Sequence, residues 1–427
     1  MTGGTEAGSP HRLGVGVDVS SVERVAELVR SQPRFVEKYF TAAEAAYCLG
    51  RPERLTARWA AKEAVRKLFG SLGWRIPLYV EISVRRRPGG APEALIRGEP
   101  VAGLELSLSH DAGVGVAVAV MASEALRQPL SVPWPADLAL PVRPVDGHKG
   151  TFGTVLVIAG SRSFPGAAVL CALGALRGGA GKVQAVTLDP ASAAFPPELI
   201  RLAVSDGGEG LGAAAIIQVR PQLQAATAVV CGPGLGLSAA TGELLSELFR
   251  AAEQMSFKLV LDADALNACA RERQLLERIP QGAVLTPHPL EAARLAGMEL
   301  AQIQADREGQ ARALAQSLGT VLVLKGAGTV VADPRGKCWT DQHATAALAA
   351  GGSGDVLAGL VGALLAQGMD APGGARAAVY LHGEAGTRLG LRRGRAGILA
   401  SEVASELVET AEALRRTQPG RGGVTPP

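Results

Sequence analysis

Six short apolar runs constrain the fold of this chain more than any other feature: Thr154–Ala159, Lys182–Thr187, Ala228–Cys231, Lys258–Leu261, Ala283–Thr286 and Val321–Leu324. They are rich in Val, Leu and Ile, show no polar alternation and are separated by helical patterns. Such runs form a parallel sheet covered by helices on both faces. Ligands of these sheets bind beyond the strand C-termini. Glycine or polar clusters sit at those ends: Gly160-Ser161, Gly232-Pro233-Gly234-Leu235-Gly236, Asp262-Ala263-Asp264, Pro287-His288-Pro289 and Lys325-Gly326-Ala327-Gly328-Thr329.

A further cluster, Gly351-Gly352-Ser353-Gly354-Asp355, runs straight into an apolar helical pattern. Glycines there let backbone N–H groups converge on an anion at a helix N-terminus. Asp355 is misplaced for simple phosphate binding, because its charge repels the ligand, but well placed to take a proton. Its bland alternative is an N-cap Asp on a glycine-rich turn. Asp262 and Asp264 likewise read first as caps, and Lys325-Gly326 alone is an ordinary strand exit. A Gly-x-Gly-x-x-Gly fingerprint after the first strand is missing, which disfavours hydride transfer.

The remaining third of the chain has another pattern. A strand from Leu13 to Asp18 is followed by a helical pattern through Val22, Val25, Leu28 and Val29, and a second helix is expected from Leu55 to Phe69. Strands at Tyr79–Arg85, Leu104–Ser109 and Val114–Met121 follow. Five prolines (Pro129, Pro133, Pro135, Pro141 and Pro144) then mark a linker expected to run extended. The organisation is a tail at 1–12, a first domain at 13–122, a linker at 123–147, a second domain at 148–412 and a tail at 413–427. At 427 residues, 47% hydrophobic and 19% charged, the chain is long enough for two cores. Its net charge of +3, without basic runs, gives no reason to expect nucleic acid. No apolar run is long enough for a bilayer. Five scattered cysteines read as reduced core residues of a cytoplasmic protein.

The segments Gly14-Val15-Gly16-Val17-Asp18, Phe40-Thr41 with Glu44, Arg58-Trp59-Ala60-Ala61-Lys62-Glu63-Ala64 with Lys67, and Ser107-Leu108-Ser109-His110 occur in order. Together they resemble the signature of holo-acyl-carrier-protein synthases. The resemblance implies an α+β phosphopantetheinyl transferase fold acting in fatty acid biosynthesis, with Asp18 and Glu63 holding Mg²⁺ against the pyrophosphate of coenzyme A. A hard divalent cation suits carboxylate and phosphate oxygens together. It further implies that Lys62 and His110 face coenzyme A phosphates, and that Arg24 and Arg34 meet the acyl carrier protein whose serine is modified. The Phe69–Trp74 turn is shorter and poorer in glycine than the family's.

Residues 148–412 resemble the ribokinase-like dehydratases that repair hydrated NADH and NADPH (NADHX and NADPHX) with ADP or ATP. The match rests on His148-Lys149-Gly150, Gly166-Ala167-Ala168, the five exit clusters and Gly352-Ser353-Gly354-Asp355. Leu290 and Ser353 depart from the family's usual glycine and threonine. The resemblance implies an α/β/α fold with a mostly parallel sheet, in which Lys325, Gly326, Ala327, Gly328, Thr329 and Gly354 hold the nucleotide. Ala167, Gly234, His288 and Asp355 would line the hydrated dinucleotide, with Asp355 the base. The whole is then a multifunctional homo-oligomeric enzyme, lacking the glycine- and asparagine-rich epimerase domain often fused to such dehydratases. The alternative is a ribokinase-like small-molecule kinase joined to a non-catalytic carrier-binding or oligomerisation module.

Overall fold

The computed structural model describes residues 14–87, 90–101, 103–121, 130–188, 195–204 and 210–417. The expected tail at 1–12, the strand's start at Leu13, linker positions 123–129 and the chain beyond 417 lie outside them. The chain forms two compact units, Met1–Pro129 with Leu391–Gly394, and Leu130–Gly390 with Arg395–Pro427.

In the first unit, β1 (Gly14–Ser21) leads to α1 (Val22–Ser31), α2 (Phe35–Tyr39), α3 (Ala42–Cys48) and the long α4 (Pro52–Ser71). The strands β2 (Ile82–Arg86), β3 (Pro92–Ile96), β4 (Glu99–Pro100), β5 (Leu104–Asp111) and β6 (Val114–Met121) follow. They make two antiparallel sheets, ordered β1-β6-β5 and β2-β3-β4. Tyr79–Glu81, expected in a strand, is a 3₁₀ turn ahead of β2. The β5–β6 hairpin turns on Ala112 and Gly113, at φ 47° and 79°, the positive values that a two-residue turn demands.

Strand β1 alternates glycine with valine because one face lies against α4. A Cβ on Gly16 would overlap the carbonyl oxygen of Ala64 and the amide of Leu68. Overpacking at backbone cannot be relieved by a rotamer change. Gly16→Val is therefore expected to destabilise this unit by about 3 kcal/mol or more, seen as an early transition in denaturant that leaves the second unit's transition in place.

The second unit carries a nine-stranded sheet. In chain order it comprises β7 (Thr154–Ile158), α5 (Pro165–Arg177), β8 (Lys182–Thr187), β9 (Ile200–Ala203), α6 (Ala213–Gln218), α7 (Arg220–Ala225), β10 (Ala228–Cys231) and α8 (Ala239–Gln254). Next come β11 (Lys258–Leu261), α9 (Asp264–Arg271), α10 (Arg273–Leu276), β12 (Val284–Leu285), α11 (Pro289–Ala296), α12 (Leu300–Ala305) and α13 (Arg307–Leu318). The chain closes with β13 (Val321–Leu324), β14 (Val330–Ala332), β15 (Cys338–Thr340), α14 (Ser353–Ala366), α15 (Ala371–Arg393) and α16 (Ala400–Thr417).

The strand order is β15-β14-β13-β12-β11-β10-β7-β8-β9, parallel from β9 through β13. The six apolar runs of the sequence are the parallel strands other than β9. The antiparallel edge β14–β15 and strand β9 carry no comparable signal. Chain direction across the sheet reverses between β7 and β10, which opens a crevice beyond their C-terminal ends. Two apolar layers cover the sheet, one built with α5, α14, α15 and α16 and the other with α8, α9, α11 and α13.

The segment expected as an extended linker packs within the second unit from Leu130 onward. Leu140 is buried, and Leu130 and Trp134 pack against the same core. Residues 413–417, expected in the tail, complete α16. Among the described residues no helix is long and apolar enough to cross a membrane.

Candidate functional site

At the β7–β10 crevice the loops after the two strands are joined, with the Gly160 amide donating to the Pro233 carbonyl at 2.7 Å. Gly234 takes φ 64° with its Cα facing Ala167, so that a Cβ there would collide with Ala167 and Phe164. A small cavity of about 20 Å³ beside Gly160, Pro165 and Thr187 has room for little beyond a water. The larger opening lies further along the strand ends. It is a cavity of about 610 Å³ lined by Lys325, Gly326, Ala327, Thr329, Gly354 and the wall Asp341–Ala350. Its size suits a nucleotide-scale ligand. Five of the six expected nucleotide-binding residues are on its surface.

Helix α14 begins at Gly352, whose φ of 85° suits glycine, and places Ser353, Gly354 and Asp355 in its first turn. First-turn N–H groups have no intrahelical acceptor, so the turn is an anion site. The Ser353 hydroxyl lies 3.1 Å from Nε2 of His382. Burial pulls His382 down to about 4, so the ring is neutral at pH 7.

Around this turn the strand ends gather charge. Lys325 Nζ, at the end of β13, lies 2.7 Å from Asp262 Oδ1 after β11 and 4.0 Å from Glu291 Oε2 in α11. It also sits 3.3 Å from where a Cβ on Gly354 would lie. Burial works against the lysine's charge, but Asp262 and Glu291 outweigh it and hold Lys325 above its ordinary value. Burial, reinforced by Asp262, pushes Asp355 up to about 7, and burial raises Glu291 to about 7. A carboxyl poised there can exchange a proton at neutral pH. Ala263, between the two aspartates, adopts φ 50° and ψ −114°, a strained conformation for a residue with a side chain. The Asp264 carboxylate accepts from the Gly236 amide at 2.8 Å, tying the β11 exit to that of β10.

His288 caps α11. Its Nδ1 accepts from the amides of Leu290 and Glu291 at 3.1 and 3.2 Å, while Glu291 accepts from the His288 amide at 2.8 Å. This leaves the proton on Nε2, 3.3 Å from Glu291 Oε1. Burial, with Lys325 nearby, lowers His288 and favours that neutral form. Glu291 went unassigned from sequence, although a polar residue three positions before a glutamate is the mark of a capping box.

In the first unit, Asp18 on β1 and Glu63 on α4 have different partners. The Lys67 ammonium lies 2.8 Å from Asp18 Oδ1 and is one helical turn from Glu63 on α4. Ser20 donates to Asp18 Oδ2 at 2.8 Å, and the Tyr79 hydroxyl donates to Glu63. An ammonium thus answers the Asp18 carboxylate and a phenol the Glu63 carboxylate. Among the described residues no three His, Cys, Asp or Glu side chains converge as a metal site. A cation here would complete its shell with phosphate oxygens and water. His110, Arg24 and Arg34 are exposed.

Lys62 departs from expectation. It is wholly buried, 2.8 Å from Glu44, and donates to the carbonyls of Tyr79 and Ile82 at 2.9 and 2.6 Å. Glu44 in turn accepts from the Thr41 amide, in the capping box that starts α3, and from the Val84 amide. With its three donors engaged, Lys62 braces α4 against β2 instead of facing a ligand phosphate. A helical Lys-Glu pair looks alike in sequence whichever member is buried.

A mostly parallel sheet whose strand ends converge on a glycine-initiated helix, a buried lysine and a carboxyl near neutrality is the frame of the ribokinase-like class. Residues 155–409 match the family model for NAD(P)H-hydrate dehydratase, and the chain belongs to that family. Residues 14–120 match the 4'-phosphopantetheinyl transferase superfamily. Among similar proteins is the ADP-dependent (S)-NAD(P)H-hydrate dehydratase of Neisseria meningitidis, 38% identical over 69% of this chain and 96% of its own length. The bifunctional NAD(P)H-hydrate repair enzyme Nnr of Gloeobacter violaceus is 40% identical over 65% of this chain but only 54% of its own length. The crystal structure of the ADP/ATP-dependent NAD(P)H-hydrate dehydratase of Bacillus subtilis, co-crystallized with ATP/Mg²⁺, superposes with a TM-score of 0.54. It is 31% identical, with 64% of this chain and 94% of that one covered.

Proposed function

We propose that the second unit dehydrates the S-form of NADHX and NADPHX at the expense of ADP or ATP. The observation that carries this reading is Asp355, raised to about 7 in the first turn of α14, one residue from the Gly354 wall of the large cavity. The nucleotide lies in that cavity with its terminal phosphate at Lys325 and the α14 N-terminus. The hydrated dinucleotide lies at the β7–β10 crevice, along Ala167, Gly234 and His288. Asp355 takes the proton of the hydrate's hydroxyl as its oxygen attacks the terminal phosphorus, and the bridging P–O bond breaks. The C–O bond of the resulting phosphate ester then breaks with its electron pair going to the departing phosphate, the adjacent ring carbon gives its proton to solvent and the ring double bond returns. Phosphate is a far better leaving group than hydroxide. Recovery of nicotinamide absorbance from hydrated NADH on addition of ADP or ATP tests the reaction; accumulation of a stable phosphorylated product instead points to a small-molecule kinase.

For the first unit we propose phosphopantetheine transfer from coenzyme A to a serine of an acyl carrier protein. Asp18 and Glu63 would hold Mg²⁺, which supplies charge for the departing phosphate. Exposed Arg24 and Arg34 would meet the acidic carrier, and His110 a coenzyme A phosphate. Intact mass of a carrier incubated with coenzyme A and Mg²⁺ is expected to show the added phosphopantetheine. Asp18→Asn and Glu63→Gln are each expected to reduce its rate by about 10² or more, while the dehydration rate stays unchanged.

A further inference from the structure

The strap Leu130–Leu140 runs along one stripe of α15. Asp137 forms a two-bond pair with Arg376 at 2.7 and 2.9 Å, the Val132 carbonyl accepts from the Tyr380 hydroxyl, and Ser131 donates through its amide and hydroxyl to Glu384. Positions 376, 380 and 384 are four apart, hence on one face. Trp134 packs edge-on against Tyr380 at 4.8 Å. Glu384, fully buried, also takes His343 Nε2 at 3.0 Å. The other ring nitrogen, Nδ1, lies 2.9 Å from Asp341 Oδ1. His343 is itself buried between Tyr380, edge-on at 4.8 Å, and Gly383, where any side chain would overlap the ring.

Asp341 and His343 line the large cavity. An imidazole facing a carboxylate from each nitrogen satisfies both only if both nitrogens carry protons. We propose that His343 is a positioning residue for the nucleotide: donating to Asp341 and Glu384 at once, it clamps the 341–345 wall of the cavity to α15 and thereby to the strap. The inference rests on the nucleotide occupying that cavity, as proposed above. None of these residues was singled out by the sequence, since the partners are 41 and 253 positions apart.

The charges facing His343 are Asp341 on its own segment and Glu384 on α15; behind Glu384 stands Arg388, 4.0 Å from it, with Glu406 of α16 beyond, 3.2 Å from Arg388. Tyr380 faces it too, and burial holds that phenol protonated. Burial works against a charged His343, but hydrogen bonds to Asp341 and Glu384 overcome it and raise the ring to about 9. The clamp is therefore complete below the ordinary histidine range and is lost as pH rises through about 9.

Titration of the full chain with Mg·ADP by calorimetry, and kcat and KM for ADP in hydrate dehydration, test the proposal. His343→Gln is expected to raise the ADP Kd and KM about tenfold with kcat changed less than about threefold. Ser131→Ala is expected to raise both about threefold, and the wild-type KM to climb above pH 9 while that of His343→Gln stays flat. If His343→Gln fails to fold, by circular dichroism, Glu384→Gln serves instead, and a Kd equal to wild type overturns the clamp. Equal ADP affinity in folded His343→Gln, or a fall in kcat at constant KM, overturns it as well. A wild-type chain that binds ADP but restores no absorbance defeats the proposed reaction and leaves the clamp to be judged on Kd alone.

Discussion

Asp355→Asn is expected to lower kcat for ADP-driven dehydration of hydrated NADH by about 10²–10⁴-fold with ADP affinity nearly unchanged. The amide keeps the size of the side chain and the first turn of α14 but cannot accept the hydroxyl proton. In the wild-type chain Asp355 titrates at about 7 because burial and then Asp262 penalise its charge. The base is the carboxylate, so kcat/KM is expected to rise with pH through about 7 and level off above it. The same shift sets a stability effect of opposite sense. A folded-state value above the ordinary carboxylate range means that the native chain loses stability progressively as pH climbs to about 7. Asp355→Asn removes that cost and is expected to gain about 1–3 kcal/mol at pH 8, measured by denaturant unfolding. A variant that is both inactive and destabilised would make Asp355 a structural cap instead of a base.

Lys325→Met is expected to be the most damaging single change in the second unit. It leaves Asp262, 1% exposed and 2.7 Å from the ammonium, without its countercharge. It also deprives Glu291 and Asp355 of a cation that lowers both. Removing one partner of a buried pair costs about 3–5 kcal/mol, which for a unit of this size lowers Tm by roughly 10 °C. The second consequence is chemical. With the lysine gone Asp355 moves further above neutrality, so the rising limb of the pH profile should shift alkaline while ADP binding weakens by about tenfold or more. A double variant, Asp262→Asn with Lys325→Met, is expected to recover much of the stability and none of the activity. Loss of activity without loss of stability in Lys325→Met would show that the pair with Asp262 contributes little to the fold.

Much of the site was legible because its members sit at strand exits. Gly160, Gly234, Asp262, His288 and Lys325 each follow an apolar run, and a parallel sheet brings such exits to one edge whatever the helices between them do. Gly352 to Asp355 was legible for a related reason, since a glycine cluster entering an apolar helix carries its own backbone chemistry. Lys62 was misread because burial of a lysine leaves no local trace: Glu44 finds it across 18 positions, and the acceptors Tyr79 and Ile82 lie on another element. The prolines predict an extended linker because proline spacing reports backbone stiffness and says nothing of what Trp134 and Ser131 touch.

The sequence by itself determined the two-unit plan, the parallel strands other than β9 and the glycine-bounded turns, because periodicity and steric freedom are local properties of a chain. Only the tertiary structure decided the charge state of the site and its walls. Whether Asp355 titrates near neutrality, which lysine is buried against a carboxylate and where His343 finds its second carboxylate all depend on desolvation and on charges from strands and helices far apart in sequence. Those quantities do not exist until the sheet has closed.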